Sequence, residues 1–264
     1  MSSSNTDTAT YRLERESLEL RFRSATLTER AWLSEHYVRV RVEGEELAGF
    51  GSTGHDDHIR IFLPDERPGT IEELRQAPSR EFTPLAWGTT SAGSPYLDLE
   101  FALHGDEGVA GVWAQSAPLG AFCGVGGPRG ALRIEGEPDG WLLAGDETAI
   151  PQIRRYAELI PEDAPALILV EVRGAAHQLK IDAPVPVEFV NRGGAFPGTA
   201  LADALGQMDE DDRPGEDPFV FIAAEQAIVK PARALVADRW GLDLDRRVIK
   251  GYWKSGDTEY HAAH

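Results

Sequence analysis

Gly145-Asp146-Glu147-Thr148-Ala149-Ile150-Pro151 is the stretch at which the chain changes character. The apolar run Trp141-Leu142-Leu143-Ala144 stops at Gly145, and a helical stripe of Ile153, Tyr156, Ala157 and Ile160 starts directly after it. A strand ends here and a helix begins, so the first N–H groups of that helix lack intrahelical acceptors and carry the positive end of the peptide dipoles. Such a junction suits an anionic ligand. It also reads as an ordinary strand-to-helix connection, and the flanking sequence has to decide.

Upstream the pattern is β. Val38, Val40 and Val42 alternate with Arg39 and Arg41; Ile59, Ile61 and Leu63 alternate with Arg60 and Phe62; Leu97, Leu99, Phe101 and Leu103 alternate with Asp98, Glu100 and Ala102. Period-two alternation marks half-buried antiparallel strands. Turn-rich pieces from Gly49 to Gly54 and Gly88 to Pro95, with one short helix around Ile71-Glu72-Glu73-Leu74, separate them and predict a small barrel or sandwich. Residues 1 to about 12 are small and polar and read as a disordered tail.

Downstream the pattern alternates β and α. Ala166-Leu167-Ile168-Leu169-Val170 is a strand buried on both faces. A strand over Val185–Val190, a helix from about Thr199 to Met208, a strand over Phe219–Ala224 and a long helix from Glu225 to Trp240 complete a parallel, doubly wound sheet. Ligands of such sheets gather at the carboxyl ends of the strands, where Gly145 and Ala224-Glu225 fall. The acidic loop from Met208 to Pro218 reads as a mobile, solubilising segment.

Composition excludes several functions. A formal net charge of −18 over 264 residues repels nucleic acid and anionic membranes. No apolar run has the length of a membrane span and the N-terminus lacks the features of a signal peptide, so a cytoplasmic protein is expected. Cys123 is the only cysteine, which rules out an intramolecular disulfide and a protein-held iron–sulfur cluster. Redox chemistry would therefore need a bound organic cofactor. His55-Asp56-Asp57-His58 looks like a metal-ligand cluster, but its two imidazoles enter a strand on opposite faces, so no metal site is expected. Gly124-Val125-Gly126-Gly127-Pro128-Arg129-Gly130 fails as a nucleotide loop, since Arg129 replaces the third glycine and Leu132-Arg133-Ile134 continues as a strand.

One short strand carries chemistry. In Arg80-Glu81-Phe82-Thr83 an arginine, an aromatic ring and a hydroxyl offer partners for a diphosphate, a flat ring and a ring nitrogen, the needs of a flavin dinucleotide. On its own the tetrapeptide also reads as an edge strand with a solvated arginine and a core phenylalanine. Near the C-terminus, Arg246-Arg247-Val248-Ile249-Lys250-Gly251-Tyr252-Trp253-Lys254 holds four basic residues and no acid, either a site for an anionic or flat chelate or the solvated last strand. His261 and His264 fall in a small polar tail.

Six motifs in order then carry a resemblance. They are Asp56 to Pro64, Arg80 to Thr83, Leu99 to Gly105 with Gly108 and Trp113-Ala114, Gly127 to Gly130, Ala144 to Pro151, and Gly251 to Gly256. In that order they resemble the siderophore-interacting proteins, FAD-dependent ferric-siderophore reductases. The resemblance implies an FAD-binding β-barrel over residues 13–138, of the ferredoxin reductase-like kind, and an α/β NAD(P)H-binding-like domain over 139–264. It implies Arg80 on the FAD diphosphate, Phe82 against the isoalloxazine, and Thr83 and His104 as catalytic groups beside the ring. Phe101 and Leu103 would line the ring system, and Gly108, Ala110, Gly111, Trp113 and Ala114 would hold the diphosphate and adenosine side. Val109 and Gly111 stand where the family has a proline and a hydroxyl residue, so that contact would use backbone N–H groups alone and bind FAD less tightly.

In the second domain the resemblance implies Gly145, Asp146, Glu147, Thr148, Ala149 and Glu225 around the meeting place of nicotinamide and flavin. The carboxylates of Asp146 and Glu147 would repel a phosphate there, so the ring rather than the diphosphate should lie nearest the turn. Ala224 replaces a family glycine and is expected to crowd the nicotinamide. Arg173 reads as a 2′-phosphate reader for NADPH or as a solvated loop residue, leaving NADPH or NADH open. Lys250, Trp253 and Lys254 would hold the ferric siderophore. The implied activity passes electrons from NAD(P)H through FAD to iron(III), releasing iron(II) in the cytoplasm from a monomeric enzyme. Ferredoxin is the alternative donor, mildly disfavoured by the shared acidity. A flavin oxidoreductase with another acceptor, and a flavin or siderophore binder without turnover, remain open.

Overall fold

The computed structural model describes residues 9–103 and 108–257. The alternating valines of the first half lie in β3 (Tyr37–Glu43), where Val38, Val40 and Val42 are fully buried while Arg39 and Arg41 face outward. Its neighbours are β2 (Phe22–Ser34) and β7 (Pro95–Ala102). Across the β3–β7 ladder Arg41 meets Asp98 and Arg39 meets Glu100, opposite charges directly paired on the outer face. With β4 (Ile59–Phe62), β5 (Ser79–Phe82), β6 (Ala86–Thr89) and β8 (Phe122–Gly126), these strands form a seven-stranded antiparallel sheet in the order β5-β4-β8-β2-β3-β7-β6. It curls as a barrel around Leu27, Ile59, Ile61, Leu97, Leu99 and Val125. Two short helices attach to it, α1 (Ile71–Gln76), capped by the Thr70 hydroxyl, and α2 (Val109–Ser116).

β1 (Tyr11–Ser17) pairs with β9 (Gly130–Gly136) as a separate two-stranded ribbon. Tyr11 and Arg12, expected within a disordered tail, instead lie in this strand. Tyr11 is buried and its one hydroxyl proton is shared between the carbonyls of Pro218 and Arg246, so β1 is tied to the second half.

That half is a five-stranded parallel sheet in the order β12-β11-β10-β13-β14, comprising β10 (Trp141–Asp146), β11 (Ala166–Val172), β12 (Val187–Asn191), β13 (Phe219–Glu225) and β14 (Val248–Trp253). α3 (Ile150–Ala157) packs Ile153, Tyr156 and Ala157 on one face against Phe219 and Phe221. α4 (Thr199–Gln207) and α5 (Val229–Arg233) cover the other face through Leu201, Leu205, Ile228 and Ala232. The strand order reverses between β10 and β13, the crevice where ligands of open α/β sheets bind.

Two expectations change. The long helix from Glu225 to Trp240 is instead a tight turn at Gln226–Ile228, then α5, then wide π-type turns over Ala234–Arg239. The widening falls where Arg239 and Trp240 reach across to the carbonyls of Leu205, Gly206 and Asp209. The acidic loop is also not merely solubilising, because the Asp217 carboxylate accepts from Arg246, Arg247 and the Thr10 N–H. None of the described helices is long and apolar enough to cross a membrane.

Candidate functional site: a cleft between barrel and sheet

α3 joins the halves. Arg154 donates to Glu100, whose side chain is fully buried and also accepts from Arg39. Arg155, one residue further, donates to the Ser52 hydroxyl at 2.9 Å and the Gly54 carbonyl at 2.5 Å. Ser52 in turn donates to Asp57 at 2.7 Å. Burial holds the Arg155 guanidinium below its usual pKa, with Asp57 opposing that shift.

Above these anchors lies a cleft of about 840 Å³. The barrel contributes Arg80, Phe82 and Thr83 around the end of β5, Leu103 after β7, and Gly108 and Gly111 at the start of α2. The sheet contributes Thr148, Pro151 and Gln152 from the turn after β10, and Lys250, Trp253 and Lys254 from the end of β14. The Thr83 hydroxyl lies 3.5 Å from Gln152 Oε1, so the β5 end and the β10–α3 turn touch within this cleft. His36 and His177 stack across it, ring centroids 4.2 Å apart and 2° from parallel.

Several residues expected in the cleft lie elsewhere. Gly145 and Ala149 are buried in the packing of α3 on β10; a Cβ on Gly145 would stand 2.4 Å from the Ala149 Cβ and 2.6 Å from the Ala223 carbonyl. Glycine is required there by helix–strand contact. Asp146 accepts from the Thr148 and Glu225 N–H groups and from the Trp253 indole, and Glu147 accepts from Arg192 and the Arg173 N–H. The free N–H at the hinge is thus capped by the chain's own carboxylate. Glu225 accepts from the N–H groups of Ala227 and Ser255 and faces a separate hollow of about 410 Å³ beside Phe196. Phe101, Trp113 and Ala114 are buried beneath the wall, with Phe101 packed 4.2 Å from Phe82, centroid to centroid. Ala224 is fully buried with Leu142 and Ile228, so its methyl points into the core rather than at a nicotinamide. Trp253 and Lys250 do line the cleft but are already engaged, Trp253 with Asp146 and Lys250 with Asp56 at 2.5 Å. His104, with His261 and His264, lies outside the described residues.

Sequence reasoning missed Gln152, Glu100, His36 and His177. Glu100 had a signal, since it alternates with Asp98 opposite two arginines. Gln152 had none, because a glutamine in the first turn of a helix looks solvated.

The lining fits a flavin dinucleotide. Gln152 is 1% exposed and its Nε2 has no protein partner. α2 begins at Gly108 with no side-chain cap, so its leading N–H groups are presented at the lining next to Arg80. A Cβ on Gly111 would meet nothing nearer than Leu103 at 3.7 Å, which leaves room for close backbone approach.

An antiparallel flavin-type barrel followed by a parallel sheet of this order defines the ferredoxin reductase-like class of flavoprotein folds. Within that class the chain belongs to the siderophore-interacting protein family: residues 26–132 match the siderophore-interacting FAD-binding domain and residues 138–256 match the siderophore-interacting protein domain. It is 31% identical to the NADPH-dependent ferric-chelate reductase of Escherichia coli, covering 89% of this chain and 94% of that one. It is 27% identical to the ferric vibriobactin reductase of Vibrio cholerae, covering 87% and 89%. A siderophore utilization protein from T. fusca superposes with TM-score 0.80 at 29% identity, covering 94% of this chain and 98% of that one.

Proposed function

We propose that the protein is an FAD-dependent ferric-siderophore reductase that draws electrons from NAD(P)H. The observation that carries this reading is the contact between Thr83, at the end of the flavin-type strand, and Gln152, in the turn that ends the first parallel strand. It puts the residues we assign to flavin and to nicotinamide within reach of one another in one cleft. The activities named for the E. coli and V. cholerae relatives support the same reading. Residues 13–138 would hold FAD and residues 139–264 the nicotinamide.

Bound FAD would supply a hydride acceptor that can release electrons singly. Arg80 and the leading N–H groups of α2 would hold the diphosphate, and Phe82, backed by Phe101, would pack on the ring. The Thr83 hydroxyl would turn from Gln152 to the ring edge, where the unpartnered Gln152 amide N–H would also donate. Thr148 and Pro151 shape the nicotinamide side, with Arg173 as the candidate reader of a 2′-phosphate; Arg192 is already committed to Glu147. Trp253 and Lys254, which line the cleft, would face the chelate. Iron(II) holds hard oxygen ligands less tightly than iron(III), so the metal leaves after reduction, in the cytoplasm, from a monomeric enzyme.

The test is visible absorption of the purified protein with added FAD, then anaerobic NADPH or NADH, then a ferric siderophore. Flavin bleaching by the nucleotide and recovery by the chelate are expected. A protein that does not bind FAD refutes the flavoprotein reading. Bleaching without recovery points to another acceptor, and a flavin that neither nucleotide bleaches points to ferredoxin or to a binding role.

A further inference from the structure

The two lysines expected to attract an anionic chelate are not equivalent. Lys250 is only partly exposed and its ammonium is matched by the buried carboxylate of Asp56. An ammonium paired at this distance offers a ligand a dipole rather than a net charge. Lys254 is exposed at the rim, and its backbone is bridged to Asp257 of the same turn.

The whole lining repeats this balance. Its carboxylates are Asp56, Asp57, Glu81, Glu100 and Asp257; its permanent cations are Arg80, Arg173, Arg192, Lys250 and Lys254. Arg192 is spent on Glu147 at 3.0 Å and lies 3.8 Å from Glu171, while Glu100 is matched by Arg39 and Arg154 and Asp57 is linked through Ser52 to Arg155, so charges behind the wall compensate on both sides. A bound FAD diphosphate would take Arg80 and add negative charge. The loaded cleft then carries no cationic excess, inside a chain of net charge −18. A highly charged anion approaching it is repelled over a Debye length, while a neutral chelate is not. Tyr252 and Trp253 also line the cleft and add no net charge to it.

We infer that the site selects ferric chelates of little or no net charge, of the trihydroxamate class, over trianionic tris-catecholates, and that the Asp56–Lys250 pair sets this preference. The inference rests on the reductase reading. Iron(III) with three singly charged hydroxamates is neutral, whereas with three doubly charged catecholates it is a trianion. One NAD(P)H gives up a hydride, the two electrons reduce two iron(III) chelates to iron(II), and NAD(P)⁺ and one proton are the other products.

Ferrichrome serves as the neutral probe and ferric enterobactin as the trianion, both at about pH 8, where imidazoles carry no charge. Binding to the oxidised, FAD-loaded protein is titrated by tryptophan fluorescence. The pre-reduced protein is then mixed anaerobically with each chelate over a range of ionic strength. Ferrichrome should bind at least about threefold more tightly at low salt. The rate constant for ferric enterobactin should rise with salt, as for like charges, while that for ferrichrome stays flat. Asp56→Asn frees the Lys250 charge and should shift the ratio of the two dissociation constants roughly three- to tenfold toward the trianion. Tighter binding of ferric enterobactin by the wild type, or a rate for it that falls with salt, overturns the inference. If the variant does not fold, the wild-type salt slopes decide alone. Failure of NAD(P)H to reduce the flavin refutes the reductase reading and leaves the binding ratio to judge charge selection.

Discussion

Replacing Arg155 with methionine tests whether one buried guanidinium holds barrel and sheet together. The residue is 9% exposed, and its two short hydrogen bonds run to the Ser52 hydroxyl and the Gly54 carbonyl, both across the junction. Hydrogen bonds to a charged group contribute about 1.5–3 kcal/mol each, so the two supply about 3–6 kcal/mol gross. Against this stands the penalty of burying the cation, visible in the lowered pKa of Arg155. Methionine fills a similar volume and escapes that penalty, but it leaves the Gly54 carbonyl without its donor and Asp57 without the cation linked to it through Ser52. A net loss of about 3 kcal/mol results, near the lower end measured when one partner of a buried pair is removed.

For a chain of this size about 3 kcal/mol lowers Tm by roughly 6–12 °C. Differential scanning calorimetry of the cofactor-free protein reads the shift. Arg155→Lys keeps the charge but not the planar fork and should fall between the two. Adding Asp57→Asn to Arg155→Met should cost less than the sum of the single changes by at least about 0.5 kcal/mol, because the second change removes the carboxylate that the first left uncompensated. A Tm shift below about 2 °C for Arg155→Met, or strict additivity in the double variant, refutes the assignment of Arg155 as the junction anchor.

Three other outcomes follow from the same geometry. Gly145→Ala drives a methyl against the Ala149 Cβ and the Ala223 carbonyl and should cost about 1–3 kcal/mol by urea denaturation, with little effect on FAD affinity. Gln152→Leu removes a buried donor that lacks a protein partner but also the acceptor of the Thr83 hydroxyl, so cofactor-free stability should change by less than about 1 kcal/mol while FAD binding weakens, read by flavin fluorescence titration; equal loss of both would assign Gln152 to folding. His55 and His177 are both held below the usual histidine value of 6.5 by burial, assisted by Arg155 and His36 respectively. The unfolded chain therefore takes up their protons first as pH falls through that value, so stability present at neutral pH declines below about 6.5 and levels off below the folded pKa values; His55→Gln should flatten the decline.

The architecture was legible because its signals are local. Alternation at Val38, Val40 and Val42 and the two-sided apolar run Ala166–Val170 each report the surroundings of their own strand. The strand at Arg80–Thr83 was legible for the same reason. What escaped was every feature created by the junction. Asp146 and Glu147 read as free carboxylates at a helix start, yet their partners, Trp253 and Arg192, lie 107 and 45 residues away. Ala224 read as a methyl facing a ligand, but strand alternation together with the bulge between Ala224 and Glu225 turns it into the core. Lys250 read as a bare cation because Asp56 stands 194 residues upstream. A single sequence carries no record of such pairings.

These junction contacts also bear on how the cleft works. Gln152 and Arg155 are three residues apart on α3, so they project from neighbouring positions of one helix face, while Ile153, Tyr156 and Ala157 lock the opposite face onto the sheet. Any shift of barrel against sheet large enough to open the cleft would have to break the Arg155 bonds to Ser52 and Gly54 and the Arg154–Glu100–Arg39 cluster together. Losing both networks at once costs roughly several kcal/mol, which a ligand would have to repay through its differential affinity for the open state. Barrel and sheet are therefore expected to move as one body, keeping Thr83 and Gln152 in contact. Access falls instead to the rim, where the stacked His36 and His177 are joined by ring contact and each is only partly buried. Replacing His177 with alanine should accordingly speed ligand entry without moving the Thr83–Gln152 contact, whereas Arg155→Met should slow flavin reduction and leave entry unchanged; stopped-flow binding and reduction rates separate the two.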